Sequence, residues 1–402
     1  MKKKTRNHPT ATKVSVLRQL CNLIPNYLVP KLAREHQSEE QARTFSHWSH
    51  VVALLYAQLT HSIGLNDVCD ALRLHSGPLS AIRGATPPSR NGLSNANKVR
   101  PAALAQELLW KVLEHLQTLS PGFGSGKHRG CLHRFKRHIH VVDATVIELV
   151  ANSLDWAKHR RRKAAAKCHL RLDLQSFLPR CVIIDTAREH ENTRARELCA
   201  PVKAGEIVIF DKGYLDFEHL SGLSVRGVYW VTRAKDNTVY DLIDRRPCAA
   251  QILSDETIML REGLLARRIV ARVEVDGVER EMTFLSNNLD WSAQTIVDLY
   301  RCRWEIEVFF KQIKQTLQLA DFLGHNANAV RWQVWTALLV YVLLRYMAWC
   351  SQWGASFIRL FTLTRAALWR KIDLAGLLRR YGTAGGHFRF LGRPEQTYFA
   401  GM

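Results

Sequence analysis

The sequence predicts an α/β protein in which a mixed core, carrying a β-rich insertion, follows a helical N-terminal domain and precedes a helical, basic C-terminal region. Apolar residues recur at helical spacing through the first third, short β-branched runs then alternate with helix-like segments, and helical spacing returns near the end. We place the three segments at residues 1–135, 136–330 and 331–402, with the insertion at about 236–288.

The N-terminal domain is predicted from two clean helical segments, Phe45 to Leu59 and Ala102 to Leu119. Pro25 and Pro30 are expected to interrupt an earlier apolar stretch, because proline lacks the amide donor that a helix interior needs. Ser94 is predicted to cap the start of a further helix. A Gly- and Pro-rich stretch followed by basic residues marks the end of the domain.

The core is predicted from β-branched runs separated by helix-like segments, a pattern typical of a sheet with helices packed on it. Two of the runs, HIHVVD and EIVIFD, end on an aspartate. A helix is then predicted to begin at Ser292 and to continue past Lys314. The predicted strands cover residues 138–143, 168–174, 180–185, 206–211 and 227–233, and the predicted helices cover 192–199 and 217–223.

The chain is strongly basic: 57 Lys and Arg against 36 Asp and Glu give a formal charge of +21. An excess of this size favours binding to polyanions. Nucleic acid is therefore the leading partner, and an anionic membrane surface is the weaker alternative.

The sequence predicts neither an export signal nor a membrane span. The basic start is not followed by an apolar segment with a cleavage site. The most apolar run, Val334 to Leu344, is shorter than the about 20 residues that cross a bilayer. We expect a buried core helix there, in a soluble, cytoplasmic protein.

The helix predicted after Ser292 carries a polar stripe. At about 100° per residue, four side chains fall within about 60° of one another, whereas Glu305 faces elsewhere. A solvated helix face is the simpler interpretation of such a stripe. The four residues are Tyr300, Arg303, Glu307 and Lys314.

Two strand aspartates give the stripe a chemical meaning. Asp143 and Asp211 each close a β-branched run, and a carboxylate in a core strand must be paired or must bind a cation. With Glu307 they would supply the oxygen ligands that Mg²⁺ prefers. A two-metal cluster of this kind serves in-line phosphoryl transfer.

The motifs resemble those of insertion-sequence-4 family transposases. Tyr300, Arg303, Glu307 and Lys314 match that family's Tyr–Arg–Glu–Lys signature in residue type and spacing, within YRCRWEIEVFFKQIKQ. HVVDATVIEL and IVIFDKGYLDF are similar to its first and second catalytic-Asp motifs, although Ala144 and Lys212 are atypical neighbours of the two aspartates. The N-terminal FSHWSHVVALLYAQLT and SRNGLSNANKVR also look like one branch of the family.

The resemblance implies an RNase-H-like catalytic core and cut-and-paste transposition. Asp143, Asp211 and Glu307 would ligate two Mg²⁺ ions, with Mn²⁺ as a substitute. Water would cleave the DNA at the ends of the element, and the freed 3′-OH would be joined to target DNA. Tyr300, Arg303 and Lys314 would lie near the terminal phosphates. The partner would be double-stranded DNA, as terminal inverted repeats and target DNA, bound by a homodimer.

Further basic residues are predicted to contact DNA phosphates, which would give salt-dependent affinity independent of sequence. Most lie in an acid-free run after Asp143, for which a solvated face is the alternative interpretation. The predicted contacts are Arg160, Arg161, Arg162, Lys163, Lys167, Lys212 and Arg233.

Two other functions remain open from the sequence. An RNase-H-like endonuclease would cut without needing element ends, and a decayed or domesticated copy would bind DNA without cutting it. The helical N-terminal domain is expected to bind DNA and to recognise the inverted repeat. Ser89 to Arg100 has the polar, basic character needed, although the sequence does not single out a recognition helix.

Overall fold

We describe the protein from a computed structural model. It describes residues 10–38, 45–125, 135–149, 158–160, 163–186, 191–248, 251–275, 277–317 and 323–381. The chain forms two compact units: residues 1–123, 147–165 and 310–402 make the first, and residues 124–146 and 166–309 make the second. These units differ from the three predicted segments, because the C-terminal helices belong with the N-terminal ones.

Backbone contacts explain why the two ends of the chain share a unit. Ala11 forms a β-bridge with Ile372, and the amide of Asp373 donates to the carbonyl of Thr10 over 2.9 Å. The side chain of Gln19 adds a donor to the Ile372 carbonyl and an acceptor for the Leu374 amide. Such long-range pairing has no local sequence signal.

The described part of the first unit is mainly helical. Pro30 does not interrupt a helix as predicted: it lies in the first turn of α2, where the missing amide has no partner to lose. The helices are α1 (Val16–Asn22), α2 (Leu28–Glu35), α3 (His47–Thr60), α4 (Leu65–Leu74), α5 (Ser76–Ser80), α6 (Arg90–Val99) and α7 (Ala102–Leu119).

The predicted cap at Ser94 is wrong. The N-cap of α6 is Ser89, whose side chain accepts from the Gly92 amide over 3.0 Å. Ser94 instead lies on the exposed side of the helix. Two serines in this stretch could cap a helix, and the first is the cap because the helix already begins at Arg90.

Ten strands form one mixed sheet in the order β2-β3-β1-β5-β6-β10-β9-β8-β7, with β4 paired to β3. The β1–β5 and β5–β6 pairs are parallel, and the strands from β6 to β7 are antiparallel neighbours. The strands are β1 (Ile139–Leu149), β3 (Lys163–Asp173), β4 (Leu178–Thr186), β5 (Ile207–Phe210), β6 (Tyr229–Arg233), β7 (Tyr240–Arg245), β8 (Ile252–Leu260), β9 (Leu264–Val275) and β10 (Val278–Ser286). A short strand, β2 (Lys158–Arg160), pairs with the start of β3.

The predicted β-rich insertion is an extension of the sheet. Its last strand, β10, pairs with β6, so the insertion continues the core without a break. Two helices, α8 (Glu191–Cys199) and α9 (Phe217–Val225), cover one face. Their apolar side chains share a buried cluster with Phe210 and Trp230, and the Trp230 indole N–H donates to the Leu220 carbonyl.

The predicted helix after Ser292 is divided into shorter segments. Ser292 caps α10 (Ala293–Arg301), a turn intervenes, and α11 (Trp304–Lys311) leads into a π-helical turn at Gln312–Thr316. The prediction of one continuous helix is therefore wrong: it is interrupted at Arg303 and again by the π turn, so uniform 100° steps do not describe its faces.

Three helices complete the described chain: α12 (Ala327–Cys350), α13 (Phe357–Ala366) and α14 (Leu374–Tyr381). α12 is 24 residues long, more than twice the apolar run seen in the sequence, and meets the length and hydropathy of a membrane-crossing helix. However, 89% of its most apolar window is buried inside the protein. It is the predicted core helix, packed against α3, α6 and α7.

Candidate active site

The two strand aspartates lie side by side in the second unit. β1 and β5 are parallel, and Val142 is in register with Phe210. Asp143 and Asp211 each follow that pair, so their backbones are one strand spacing apart, about 4.8 Å. The strand residues before them are fully buried, whereas the side chains of Asp143 and Asp211 are 19% and 34% exposed.

Arg303, in the turn between α10 and α11, brings the third carboxylate to this pair. Its Nη1 atom lies 3.2 Å from Asp143 Oδ2, its Nη2 atom 2.7 Å from Glu307 Oε1, and its Nε atom 4.0 Å from Asp211 Oδ1. One guanidinium thus contacts three carboxylates that are far apart in sequence. The break after α10 places Arg303 there, because the chain turns before α11 begins.

Tyr300, in the last turn of α10, supports the same cluster. Its hydroxyl donates to Asp211 Oδ1 over 3.0 Å, and its ring packs on Phe284 of β10 with centroids 5.1 Å apart. Burial, followed by the negative charge of Asp211, raises the pKa of the Tyr300 phenol. The phenol is therefore a hydrogen-bond donor that stays protonated.

Arg303 is the fixed positive charge of the cluster. Burial acts to lower the pKa of its guanidinium, but the Tyr300 oxygen, the hydrogen bond with Glu307 and the charge of Asp143 together raise it. Charge-assisted contacts of this kind are short and strong. The guanidinium therefore holds together three carboxylates that would otherwise repel one another.

The carboxylates fit a divalent cation in chemistry but not in their present spacing. Within the described residues, no three His, Cys, Asp or Glu side chains are grouped closely enough to hold one metal ion. Asp143, Asp211 and Glu307 are nevertheless hard oxygen donors gathered around a cation, the kind of ligand that Mg²⁺ takes.

Other predicted site residues lie on different elements. Lys314 lies in the π-helical turn, which belongs to the first unit. Lys212 is exposed in a 3₁₀ turn directly after Asp211, and Arg233 ends β6. The charge of Arg233 acts on the pKa of Tyr300, so it is near the cluster.

The described residues of the basic run after Asp143 lie on β-strands. Arg160 ends β2 and Lys163 begins β3. Lys167 is half-buried on β3, opposite Asp185 of β4. Arg161 and Arg162 lie outside the described residues.

Two contacts at the site were missed by sequence reasoning. The amide of Ala144 donates to Asp143 Oδ1 over 2.7 Å, and the buried hydroxyl of Thr232 lies 3.5 Å from the Asp211 carbonyl. A backbone donor has no signal in the residue type. Thr232 did carry a sequence signal, because a buried hydroxyl among apolar strand residues needs a hydrogen-bond partner.

Comparison with known proteins gives two family matches. A model described as "Transposase DDE domain" matches residues 134–343, and a "Domain of unknown function (DUF4372)" matches residues 12–82. The first spans the whole candidate site, including both aspartates and Glu307. The second spans α1 to α5 of the helical unit.

Similar individual proteins carry transposase names. The chain is 29% identical to "Putative transposase y4zB" of Sinorhizobium fredii, over 78% of this chain and 86% of that protein. It is 28% identical to "Probable transposase for insertion sequence element IS5377" of Geobacillus stearothermophilus, over 60% and 65%. It is 24% identical to "Transposase InsG for insertion sequence element IS4" of Escherichia coli, over 44% and 42%.

Proposed function

The chain belongs to the DDE transposase family, and we propose that Asp143, Asp211 and Glu307 are the three carboxylates of its active site. It is a DNA transposase related to that of insertion sequence IS4. The observation that carries the proposal is the Arg303 guanidinium in contact with all three carboxylates. Asp143 and Asp211 are 68 positions apart in the chain, and Asp211 and Glu307 are 96 apart. The fold brings all three to Arg303.

The family is dependent on a divalent metal, and we propose Mg²⁺, bound as two ions with Mn²⁺ as a substitute. Asp143, Asp211 and Glu307 would hold it. Such ions supply Lewis-acid stabilisation of the attacking and leaving oxygens of an in-line displacement. The parallel β1–β5–β6 strands with helices on the sheet support the further proposal of an RNase-H-like core.

The protein's own residues have distinct roles in this proposal. Tyr300 keeps Asp211 oriented by donating to its Oδ1 atom. Arg303 neutralises the carboxylates before substrate arrives and, once released, offers a planar fork of donors that suits a phosphate. The remaining basic residues would bind the DNA backbone. They are Arg160, Arg161, Arg162, Lys163, Lys167, Lys212, Arg233 and Lys314.

The reaction proposed is cleavage followed by joining. Water adds to phosphorus at the end of the element, the P–O3′ bond breaks, and the 3′-oxygen leaves as a hydroxyl. That 3′-OH then attacks a phosphodiester of target DNA and displaces its 3′-oxygen in turn. Two ends must be held at once, which supports a homodimer on DNA. We propose the cytoplasm as the site of action.

Cleavage assays with carboxylate variants test the proposal. We expect Asp143→Asn, Asp211→Asn and Glu307→Gln each to abolish Mg²⁺-dependent nicking of a duplex that carries the element's own terminal repeat, since each loses an oxygen ligand. Glu305→Gln, on the same helix two residues before Glu307, is the matched control and should retain activity.

The outcomes separate the competing functions. Full nicking by any of the three variants contradicts the assigned site. Cleavage that ignores the repeat and never joins a 3′-OH to target DNA would indicate an RNase-H-like endonuclease instead. Specific binding to the repeat by the wild-type protein with no metal-dependent cleavage would indicate an inactive DNA-binding copy.

A further inference from the structure

The outer face of α6 is polar, basic and free of acidic residues. At about 100° per residue its exposed polar side chains cover about 140° of the helix surface. The opposite face is buried through Leu93, Ala96 and Asn97. The exposed polar residues are Arg90, Asn91, Ser94, Asn95 and Lys98.

These five side chains are unpaired among the described residues. None of them makes a hydrogen bond or an ion pair with another described residue, whereas other exposed helices carry acid–base pairs, such as Lys31 with Glu35 and Lys111 with Glu114. A basic face without acidic residues adds to the affinity of this positively charged chain for polyanions. Asparagine adds paired donors and acceptors that match adenine in the major groove, and arginine does the same for guanine.

The inner face of α6 is fixed by buried polar contacts within the first unit. The ring of His50, fully buried, hydrogen-bonds to Asn97 Oδ1 over 2.8 Å. The Asn328 amide donates to the carbonyls of Asn97 and Arg100, at 2.9 and 2.6 Å. The Trp332 indole also donates to the Arg100 carbonyl.

This anchoring makes α6 a rigid support. Arg100, only 2% exposed, spans back to the Ser46 carbonyl and stacks over Phe45 at 5.3 Å. Its Nη1 and Nη2 atoms donate to the Ser46 and Phe45 carbonyls, which offsets part of the cost of burying the charge. Fixed positions of this kind are what a base-reading helix requires, because donors and acceptors must match the base edges closely.

We propose that the outer face of α6 enters the major groove of the terminal-repeat DNA and reads its sequence through Asn91 and Asn95, with Arg90 and Lys98 at bases or phosphates. The proposal rests on the transposase function proposed above. A helix of ten residues has a width of about 10–12 Å, which a major groove about 12 Å wide admits.

Binding measurements on the full chain test the proposal. Fluorescence anisotropy would compare a labelled duplex carrying the terminal repeat, read from the DNA flanking the coding region, with a scrambled duplex of equal length. We expect Asn91→Ala and Asn95→Ala to lower the ratio of specific to scrambled affinity by about tenfold to a hundredfold. Lys98→Ala should weaken binding to both duplexes alike if it contacts phosphate.

Gln106→Ala, an exposed amide on the neighbouring α7, is the matched control and should leave the ratio unchanged. Circular dichroism and thermal unfolding should show that the α6 variants fold as the wild type does. An unchanged ratio in both asparagine variants overturns the proposal. If the wild-type protein prefers and nicks the repeat while these variants keep the wild-type affinity ratio, only the role of α6 is refuted. If the wild-type protein shows no metal-dependent nicking, the proposed function itself is refuted.

Discussion

At the scale of single residues, Arg303 contacts all three carboxylates of the candidate site. In the proposed function, its guanidinium lies where the divalent cation would bind between Asp143, Asp211 and Glu307. The guanidinium would then compete with the metal for the same oxygens. DNA phosphate would favour replacement of the guanidinium by the metal ion, because it gives the released guanidinium a new bidentate acceptor.

This competition predicts the behaviour of Arg303→Ala. Without the guanidinium the three carboxylates repel one another, so the melting temperature in a chelator should fall. Mg²⁺ should then raise it by more than in the wild type, because a ligand that binds only the folded state stabilises it according to its affinity. Cleavage should also fall, since the phosphate contact is lost. Differential scanning fluorimetry across a Mg²⁺ titration measures the shift.

Arg301→Ala provides the control for that experiment. Arg301 is exposed at the end of α10, two residues before Arg303, and its removal changes the net charge by the same amount. Equal Mg²⁺ shifts in the two variants would show that Arg303 does not compete with the metal.

At the scale of elements, the β1–β5 pair carries ionisable groups at both ends. The carboxyl ends hold the two aspartates, and the opposite ends hold a histidine–carboxylate cluster. His140 Nε2 lies 3.3 Å from Glu206 Oε2, and Arg180 lies 2.7 Å from Asp173 Oδ2. Burial tends to raise the pKa of Glu206, but hydrogen bonds from His140 and the Lys203 amide lower it to about 2.

This cluster predicts a loss of stability in acid. The folded-state pKa of Glu206 is depressed below its ordinary value of 4.5, so its contribution is present above pH 4.5 and is lost as the pH falls towards about 2. The pKa of Asp173 is also depressed, because hydrogen bonding from His138 and the charge of Arg180 outweigh burial. Glu206→Gln should therefore show a smaller decrease in the free energy of unfolding over this range.

Urea unfolding at a series of pH values measures that decrease. Glu279→Gln, an exposed position on β10, should follow the wild-type profile. If Glu206→Gln follows it too, the hydrogen bonds to Glu206 do not contribute to acid stability.

At the scale of the whole molecule, the charge of +21 predicts DNA binding with a steep salt dependence. Each phosphate contact releases counterions, and the slope of log affinity against log salt grows by about 0.9 per contact. Lys212→Ala should reduce that slope by about one contact for repeat and scrambled duplexes alike, because this exposed lysine directly follows Asp211.

Anisotropy titrations at several salt concentrations measure the slope. Lys111→Ala, an exposed lysine of α7 paired with Glu114, is the comparison. If both variants change the slope equally, the binding surface is not centred on the candidate site.

The sequence predicted the core of this molecule well where patterns are local. The strands that end at Asp143 and Asp211 were visible as β-branched runs, and Ser292 was identified as a helix start. Motif resemblance and helical geometry both selected Glu307 over Glu305. The resemblance to insertion-sequence-4 transposases is confirmed by the family match, while the roles of the individual residues stay predictions.

What the sequence by itself determined, then, is residue type, local period and family, because these depend on neighbours a few positions away. The tertiary structure alone decided that Val142 registers with Phe210, that the chain turns at Arg303, and that the C-terminal helices join the N-terminal ones. Such contacts join residues tens to hundreds of positions apart. Their free energy comes from packing and pairing in the folded chain, so no local pattern encodes them.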